Sequence, residues 1–141
     1  MRVSALLCLP VLLAACPVES QLCTLIGCLS TLELTLDLPG WEDGDTVLTV
    51  DVERAVVRCT VSATGEATCD DDGLSVSFDG EGDRRVLELQ GHLVEAAITV
   101  RAERDGVGVL DTTTTPDWTV SQPNGPDCSP TCVSAALTLG I

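Results

Sequence analysis

The sequence contains no lysine and no tyrosine, one phenylalanine and one histidine, and its basic residues are seven arginines against twenty-two aspartates and glutamates. The formal net charge is −15 at pH 7. Such a charge repels nucleic-acid phosphates and anionic lipid headgroups. The composition therefore excludes nucleic-acid binding. A single histidine also argues against a zinc site as the role of the cysteines.

Long apolar runs and helical periodicity are also missing. The first apolar stretch, Val3 to Leu12, is shorter than the ~20 residues that a membrane-spanning helix needs, and Pro17 and Glu19 prevent its extension. No segment of useful length repeats apolar residues at the spacing of an amphipathic helix. These absences exclude a helical bundle and a helical membrane protein.

What the sequence contains instead is a period-two alternation of Leu, Val and Ile with polar residues, in short segments separated by Gly, Asp and Pro. This pattern is typical of strands with one buried and one solvated face. It predicts an all-β fold, an antiparallel sandwich of about eight strands that forms one domain over residues 30–141. The predicted strands lie at Ser30–Leu38, Leu48–Val52, Val57–Val61, Leu74–Phe78, Arg85–Gln90, Ile98–Ala102, Val107–Thr115, Trp118–Val120 and Val133–Leu139, with a further short strand through Cys69 that pairs with Val57–Val61.

Turn chemistry adds detail at several connections. A three-residue hairpin loop centred on Thr64 sets Cys59 directly opposite Cys69, within disulfide range. Asp105-Gly106 predicts a two-residue hairpin. In the segment that follows, the alternation leaves open which of two adjacent residues, Val109 or Leu110, is buried. Residues 79–83 are expected to form a loop, and residues 91–96 a loop or a single helical turn.

The amino terminus carries a motif of its own. Arg2 precedes the apolar stretch, and Leu13-Ala14-Ala15-Cys16 follows it, which is the order of an export signal. Leu13-Ala14-Ala15-Cys16 resembles the lipobox of bacterial lipoproteins. The resemblance implies that residues 1–15 are removed, that Cys16 becomes the first residue and carries the lipid, and that residues 16–29 tether the domain to the bilayer. Pro17, in place of an Asp, implies the outer membrane. The alternative is an ordinary secretory signal cut near Ala15 without lipidation.

Six cysteines remain once Cys8 leaves with the signal and Cys16 takes the lipid. An even number in an exported chain predicts three disulfides. The strand layout resembles immunoglobulin-like or prealbumin-like domains, and in immunoglobulin-like sandwiches the first and last strands often run side by side. That resemblance favours pairing between the termini for four of the cysteines, and two local bridges, 23 to 28 and 128 to 132, are the alternative. The four are Cys23, Cys28, Cys128 and Cys132.

Candidate chemistry is sparse. His92 has no nucleophile motif around it, so we expect no enzyme. The acidic turns offer oxygen ligands of the kind that calcium prefers, with Asp70, Asp71 and Asp72 as candidate ligands and solvated turns as the alternative. Trp41 is expected to cap the end of the sandwich, with a ligand-stacking platform as the alternative.

The sequence thus predicts a protein of the bacterial cell envelope that acts as a structural or binding module and needs no cofactor. Its expected partner is the lipid bilayer, through the Cys16 anchor, with an envelope protein or glycan as a further partner. The main alternative is a calcium-dependent adhesion or recognition domain that uses the acidic turns.

Overall fold

The computed structural model describes Cys23, residues 26–70 and residues 72–141. Within this part of the chain a 3₁₀ turn, Trp41–Asp43, is the only helical element, and ten strands account for most of the rest. The all-β prediction is confirmed, with ten strands in place of about eight. The strands are β1 (Ser30–Asp37), β2 (Thr46–Val52), β3 (Ala55–Val61), β4 (Ala67–Asp70), β5 (Ser75–Glu81), β6 (Arg84–Gly91), β7 (Ile98–Arg104), β8 (Val107–Thr114), β9 (Thr119–Ser121) and β10 (Cys132–Gly140).

The strands form two five-stranded sheets, in the orders β5-β6-β1-β10-β9 and β4-β3-β2-β7-β8. All neighbours are antiparallel except β1 and β10, the first and last strands, which run parallel. The alternating apolar residues of both sheets point into the space between the sheets. The core is therefore formed by the strand faces that the alternation predicts to be buried. Its fully buried members include Leu32, Leu34, Leu36, Leu87 and Leu89 from the first sheet and Leu48, Val50, Val57, Val61, Ile98 and Val100 from the second.

Two hairpins have the register that their turn residues predict. In the β3–β4 hairpin, Ser62 N donates to the Glu66 carbonyl oxygen at 2.8 Å, and Gly65 lies at a φ of 88°, a left-handed conformation that glycine adopts without a Cβ clash. This loop sets Cys59 opposite Cys69, and the two residues form a disulfide with a Cα–Cα distance of 4.0 Å. In the β7–β8 hairpin, Asp105 and Gly106 both have positive φ, as a type I′ turn requires.

Two connections differ from the expectation. Residues 79–81 belong to β5, and only Gly82 and Asp83 form the turn to β6, because the antiparallel ladder continues to the pair Glu81 and Arg84. A β-bulge opposite Ala102 and Glu103 explains the ambiguous register of β8. Leu110 pairs with Ala102 and the extra residue is Val109, so both side chains are half-buried. Residues 92–97 contain no helical turn.

Trp41 closes one end of the core. Its side chain is 1% exposed, and its ring meets Phe78 edge-on at a centroid distance of 5.9 Å. The indole Nε1 donates to the Asp83 carbonyl oxygen at 3.1 Å, so its polar atom is satisfied inside the fold. Trp41 is therefore a cap, and its buried ring offers no stacking platform to a ligand. We call this end, with the loops 38–45, 62–66, 82–83 and 105–106, the distal end.

The core geometry leads to a stability prediction. Leu34 is fully buried on β1, between β6 and β10, so Leu34→Ala leaves a cavity in the centre of the sandwich. We expect the free energy of unfolding to fall by about 3 to 5 kcal/mol, measured by urea denaturation of residues 17–141. The control is Val56→Ala, because Val56 is 46% exposed on β3, and it should change stability by less than about 1 kcal/mol. Equal losses in the two variants would contradict this assignment of the core.

Candidate functional site

Two disulfides meet at the end of the sandwich opposite Trp41. The parallel register pairs Thr31 of β1 with Ser134 of β10, so the residues just before the two strands come together. There Cys23 bonds to Cys128 and Cys28 to Cys132, with Cα–Cα distances of 5.6 and 6.1 Å. The pairing joins the termini, as the likeness to immunoglobulin-like sandwiches favours, and the two local bridges do not form. We call this the cystine end.

Hydrogen bonds reinforce the same junction. The Asn124 side chain accepts from Ile26 N at 3.0 Å and donates to the carbonyl oxygens of Ile26 and Ser129 at 2.9 and 2.6 Å. Deeper in the fold, Val133 N donates to Ser30 Oγ at 3.0 Å in a buried contact. Sequence reasoning missed both roles. Asn124 stood out only as a turn residue in the loop before Cys128, and nothing local to it specified a partner 98 residues away.

A shallow depression of about 260 Å³ opens beside the Cys28–Cys132 disulfide. Arg54 and His92, both exposed, are the basic side chains on its wall. The hydroxyl groups on the wall already have partners, since Ser30 Oγ accepts from Val133 N and Thr131 Oγ1 accepts from Gln122 Nε2. The remaining wall residues are Leu29, Gly91, Leu93, Val94 and Pro130.

The chemistry of this depression is that of a weak anion site. Arg54 and His92 supply donors for a carboxylate or phosphate group, and no acidic residue lines the wall. The polar side chains of the wall, which also include Ser30 and Thr131, can make hydrogen bonds to a bound group.

A second, much smaller cavity lies next to the depression, under Trp118. Its volume of about 10 Å³ holds at most one water, so it has no room for a ligand. The Trp118 indole Nε1 donates to the Ala96 carbonyl oxygen at 3.0 Å and fixes the ring over Ile98. This tryptophan covers the core at the cystine end, as Trp41 does at the distal end.

The candidate calcium ligands are spread over both ends. Asp70 ends β4 and is exposed, as is Asp72, and Asp71 lies outside the described residues. At the distal end, Glu42, Asp43 and Asp83 line an open depression of about 280 Å³. One Asp83 carboxylate oxygen there accepts from Gly40 N at 3.1 Å. Across the described residues, no group of three or more His, Cys, Asp or Glu side chains is close enough to hold a metal ion.

The residues of the amino-terminal motif, Leu13, Ala14, Ala15 and Cys16, lie outside the described residues. The described chain reaches toward them as far as Cys23, whose disulfide fixes it at the cystine end. No helix within the described chain is long and apolar enough to cross a membrane.

The two terminal disulfides predict a non-additive effect on stability. Each alone closes a loop of more than 100 residues, since the sequence separations are 105 and 104. Once one is present, the other closes only a small ring through residues 23–28 and 128–132. Replacing one of these cysteine pairs by Ala should therefore lower the free energy of unfolding by about 2.5 kcal/mol, as for the loss of a bridge that closes a ten-residue loop. Replacing both pairs should lower it by roughly 7 kcal/mol.

The comparator is the Cys59–Cys69 bridge, which has a sequence separation of 10. Cys59→Ala with Cys69→Ala should destabilise about as much as the loss of one terminal bridge, by about 2.5 kcal/mol in urea denaturation. If each terminal bridge alone cost about 4.7 kcal/mol, the figure for a 100-residue loop, the shared-loop explanation would be wrong.

The cystine end is the candidate functional site because the two termini, the depression lined by Arg54 and His92, and the connection to the amino-terminal motif all meet there. No family model matches the chain, and neither a curated protein nor a solved structure is significantly similar to it.

Proposed function

We propose that this chain is a lipoprotein of the bacterial cell envelope, anchored through Cys16, whose folded part is a disulfide-bonded β-sandwich acting as a structural or binding module. The observation that carries the proposal is the pairing of the cysteines. All six cysteines from Cys23 onward bond to one another, so the domain leaves Cys16 no disulfide partner. A thiol left over at the cysteine position of a lipobox-like motif is suited to acylation.

The disulfides also support export. Structural disulfides persist in oxidising compartments such as the bacterial periplasm and are rare in the cytosol. A domain with three of them fits an amino-terminal export signal, and the apolar stretch after Arg2 has the order and length of one. The fold and the motif at Leu13-Ala14-Ala15-Cys16 therefore favour the same cellular location.

The position of Cys23 supports a short tether. Cys23 lies seven positions after Cys16, and at ~3.5 Å per residue this stretch spans at most ~25 Å. Because Cys23 is bonded to Cys128, a lipid on Cys16 would hold the cystine end close to the bilayer. The distal end, with Glu42, Asp43 and Asp83, would then face away from the membrane.

A covalent lipid also resolves a conflict of charge. The net charge of −15 repels an anionic membrane surface, so the domain has no electrostatic means of staying there. Acyl chains contribute about 0.8 kcal/mol for each buried CH₂ group, and two or more chains anchor a protein stably in spite of such repulsion.

The surface of the sandwich supports the proposed module role. The depression at the cystine end, about 260 Å³, falls below the ~300 Å³ at which small-molecule pockets begin. Contact through loops or strand edges, with an envelope protein or a glycan, suits such a surface better than enclosure of a substrate.

The test is the fate of Cys16→Ser in a bacterial host. We expect the unchanged chain in the membrane fraction, with a mass that begins at Cys16, includes acyl groups and lacks six thiol hydrogens under non-reducing conditions. Cys16→Ser should lose the acyl mass and the cleavage before residue 16. The matched control is Cys8→Ser, which changes a cysteine of the apolar stretch and should remain lipidated. An unchanged chain that begins at Met1, or begins near residue 16 without acyl mass, would overturn the proposal.

Calcium-dependent recognition is the second candidate, and one observation favours it. Glu42 and Asp43 from one acidic turn and Asp83 from another line the same depression at the distal end, although the three carboxylates would have to move closer together to share an ion. Carboxylates from two loops are the kind of ligands that calcium takes in extracellular modules. The same carboxylates are solvated at this open surface, which suits plain strand connections equally well.

A melting experiment decides between these two readings. If calcium binds at the distal end, about 2 mM calcium should raise Tm relative to chelator by a few degrees, since a ligand that binds only the folded state stabilises it. Asp83→Asn should abolish the rise, whereas Asp111→Asn, which changes an exposed carboxylate far from the depression, should preserve it. An unchanged Tm in the parent chain would remove the calcium candidate.

A further inference from the structure

The last strand has an edge that the fold leaves uncovered. β9 pairs with β10 only at Cys132, Val133 and Ser134. Beyond Ser134, β10 pairs with β1 on one side, and no described strand pairs with its other side. Ala135–Gly140 therefore presents a row of backbone donors and acceptors to solvent, of the kind that templates pairing with another strand.

The other edges of the sandwich carry features that discourage such pairing. β5 has two acidic residues, Asp79 and Glu81, on its exposed edge. β8 has a bulge. β4 and β9 are only four and three residues long. Acidic side chains, bulges and short lengths are the usual features that protect the sheet edges of natural proteins. Each of these four strands has one of them, and β10 differs from them in this respect.

β10 has none of these features along its uncovered part. From Cys128 to Ile141 the sequence contains no charged residue, and the register with β1 runs without a bulge from Ser134 to Gly140. The inward side chains here, Leu137 and Leu139, are only half-buried although they pack against the core. This edge is consequently regular, neutral and partly apolar.

The edge strand of the opposite sheet on this side is β8, which only residues 115–118 connect to β9. On β8, Val109 and Leu110 are half-buried and Val107 is 66% exposed. The one charge on this strand, Asp111, has a counter-ion, since Arg101 Nε lies 3.4 Å from its Oδ1. We call Ala135–Gly140 and this stretch of β8 the open side.

The charge of the open side indicates what covers it. A basic partner strand would have no unpaired carboxylate to interact with on the open side. An acidic partner strand would have no favourable charge interaction with this neutral edge, and the net charge of −15 would repel it. The strand that fits is neutral, with alternating apolar residues, which is the character of β10 itself. Two acidic copies repel one another, and a neutral face is where they approach at the least electrostatic cost.

We propose that Ala135–Gly140 pairs antiparallel with the same segment of a second copy, so that two five-stranded sheets become one continuous sheet across a two-fold axis. Antiparallel pairing is self-complementary, because residue i of one copy meets residue j of the other and j meets i. It satisfies the open backbone groups of both strands and covers Leu137 and Leu139 in each copy.

The pairing has a consequence for orientation, and this consequence alone rests on the proposed lipid anchor. Antiparallel β10 strands send the two cystine ends in opposite directions. Two tethers of at most ~25 Å each reach one bilayer only if the strands lie along the membrane surface. In the dimer the distal ends would therefore point along the bilayer, whereas in a single anchored copy the distal end would face away from it. The dimer itself requires no lipid, so its test is independent of the test of the anchor.

The test uses residues 17–141, which contain every strand and disulfide described above. Sedimentation equilibrium in ~0.15 M salt, from ~1 to ~500 µM chain, should give a mass that rises from one to two chains. Thr138→Lys places a charge on the exposed face of the β10 edge and should raise the dimer Kd at least tenfold, which is about 1.4 kcal/mol.

The matched control is Thr60→Lys, which places the same charge on the exposed face of β3, an interior strand. It should leave the dimer Kd within about twofold, and both variants should melt cooperatively within a few degrees of the parent chain. A parent chain that stays monomeric over the whole range, an open series of larger species, or equal effects of the two substitutions would each overturn the proposal.

Discussion

The structure depends on the parallel pairing of its first and last strands. β1 and β10 occupy the centre of one sheet, so that sheet forms only when segments about 100 residues apart in sequence meet. Closing so long a loop is entropically unfavourable. Two disulfides, buried hydrogen bonds such as that from Val133 N to Ser30 Oγ, and the leucines of β1 all stabilise the same junction.

This junction also divides the molecule into two chemically different ends. At the cystine end the termini meet beside a depression whose wall carries Arg54 and His92. At the distal end Trp41 seals the core beneath acidic loops. A lipid on Cys16 would turn this asymmetry into an orientation, because the tether is fixed at one end by Cys23. The fold thereby links a covalent anchor to the direction in which the acidic loops point.

The distribution of charge serves the same architecture. Acidic side chains discourage most of the surface and its strand edges from pairing with other molecules, which a β-protein with open sheet edges requires. The uncharged sequence after Asp127 is the exception. It forms the strand that the core needs at its centre, and β9 is too short to cover the edge that results. The pairing of β1 with β10 that closes the sandwich therefore leaves most of the outer edge of β10 uncovered.

The sequence by itself determined what depends on neighbouring residues. Period-two alternation located the strands, and turn chemistry fixed the hairpin centred on Thr64, with the Cys59–Cys69 bridge, and the turn at Asp105-Gly106. Each of these follows from side-chain direction and backbone preference within a few residues. The amino-terminal motif at Cys16 is likewise local, and its meaning stays a prediction from sequence.

Only the tertiary structure decided what depends on distant residues. It determined that Cys23 and Cys28 bond to Cys128 and Cys132, that Asn124 holds Ile26, and that a bulge half-buries both Val109 and Leu110. It also showed that β9 leaves most of β10 uncovered. These contacts result from how two sheets stack and where each strand ends, and no periodicity within one segment encodes which other segment will lie beside it.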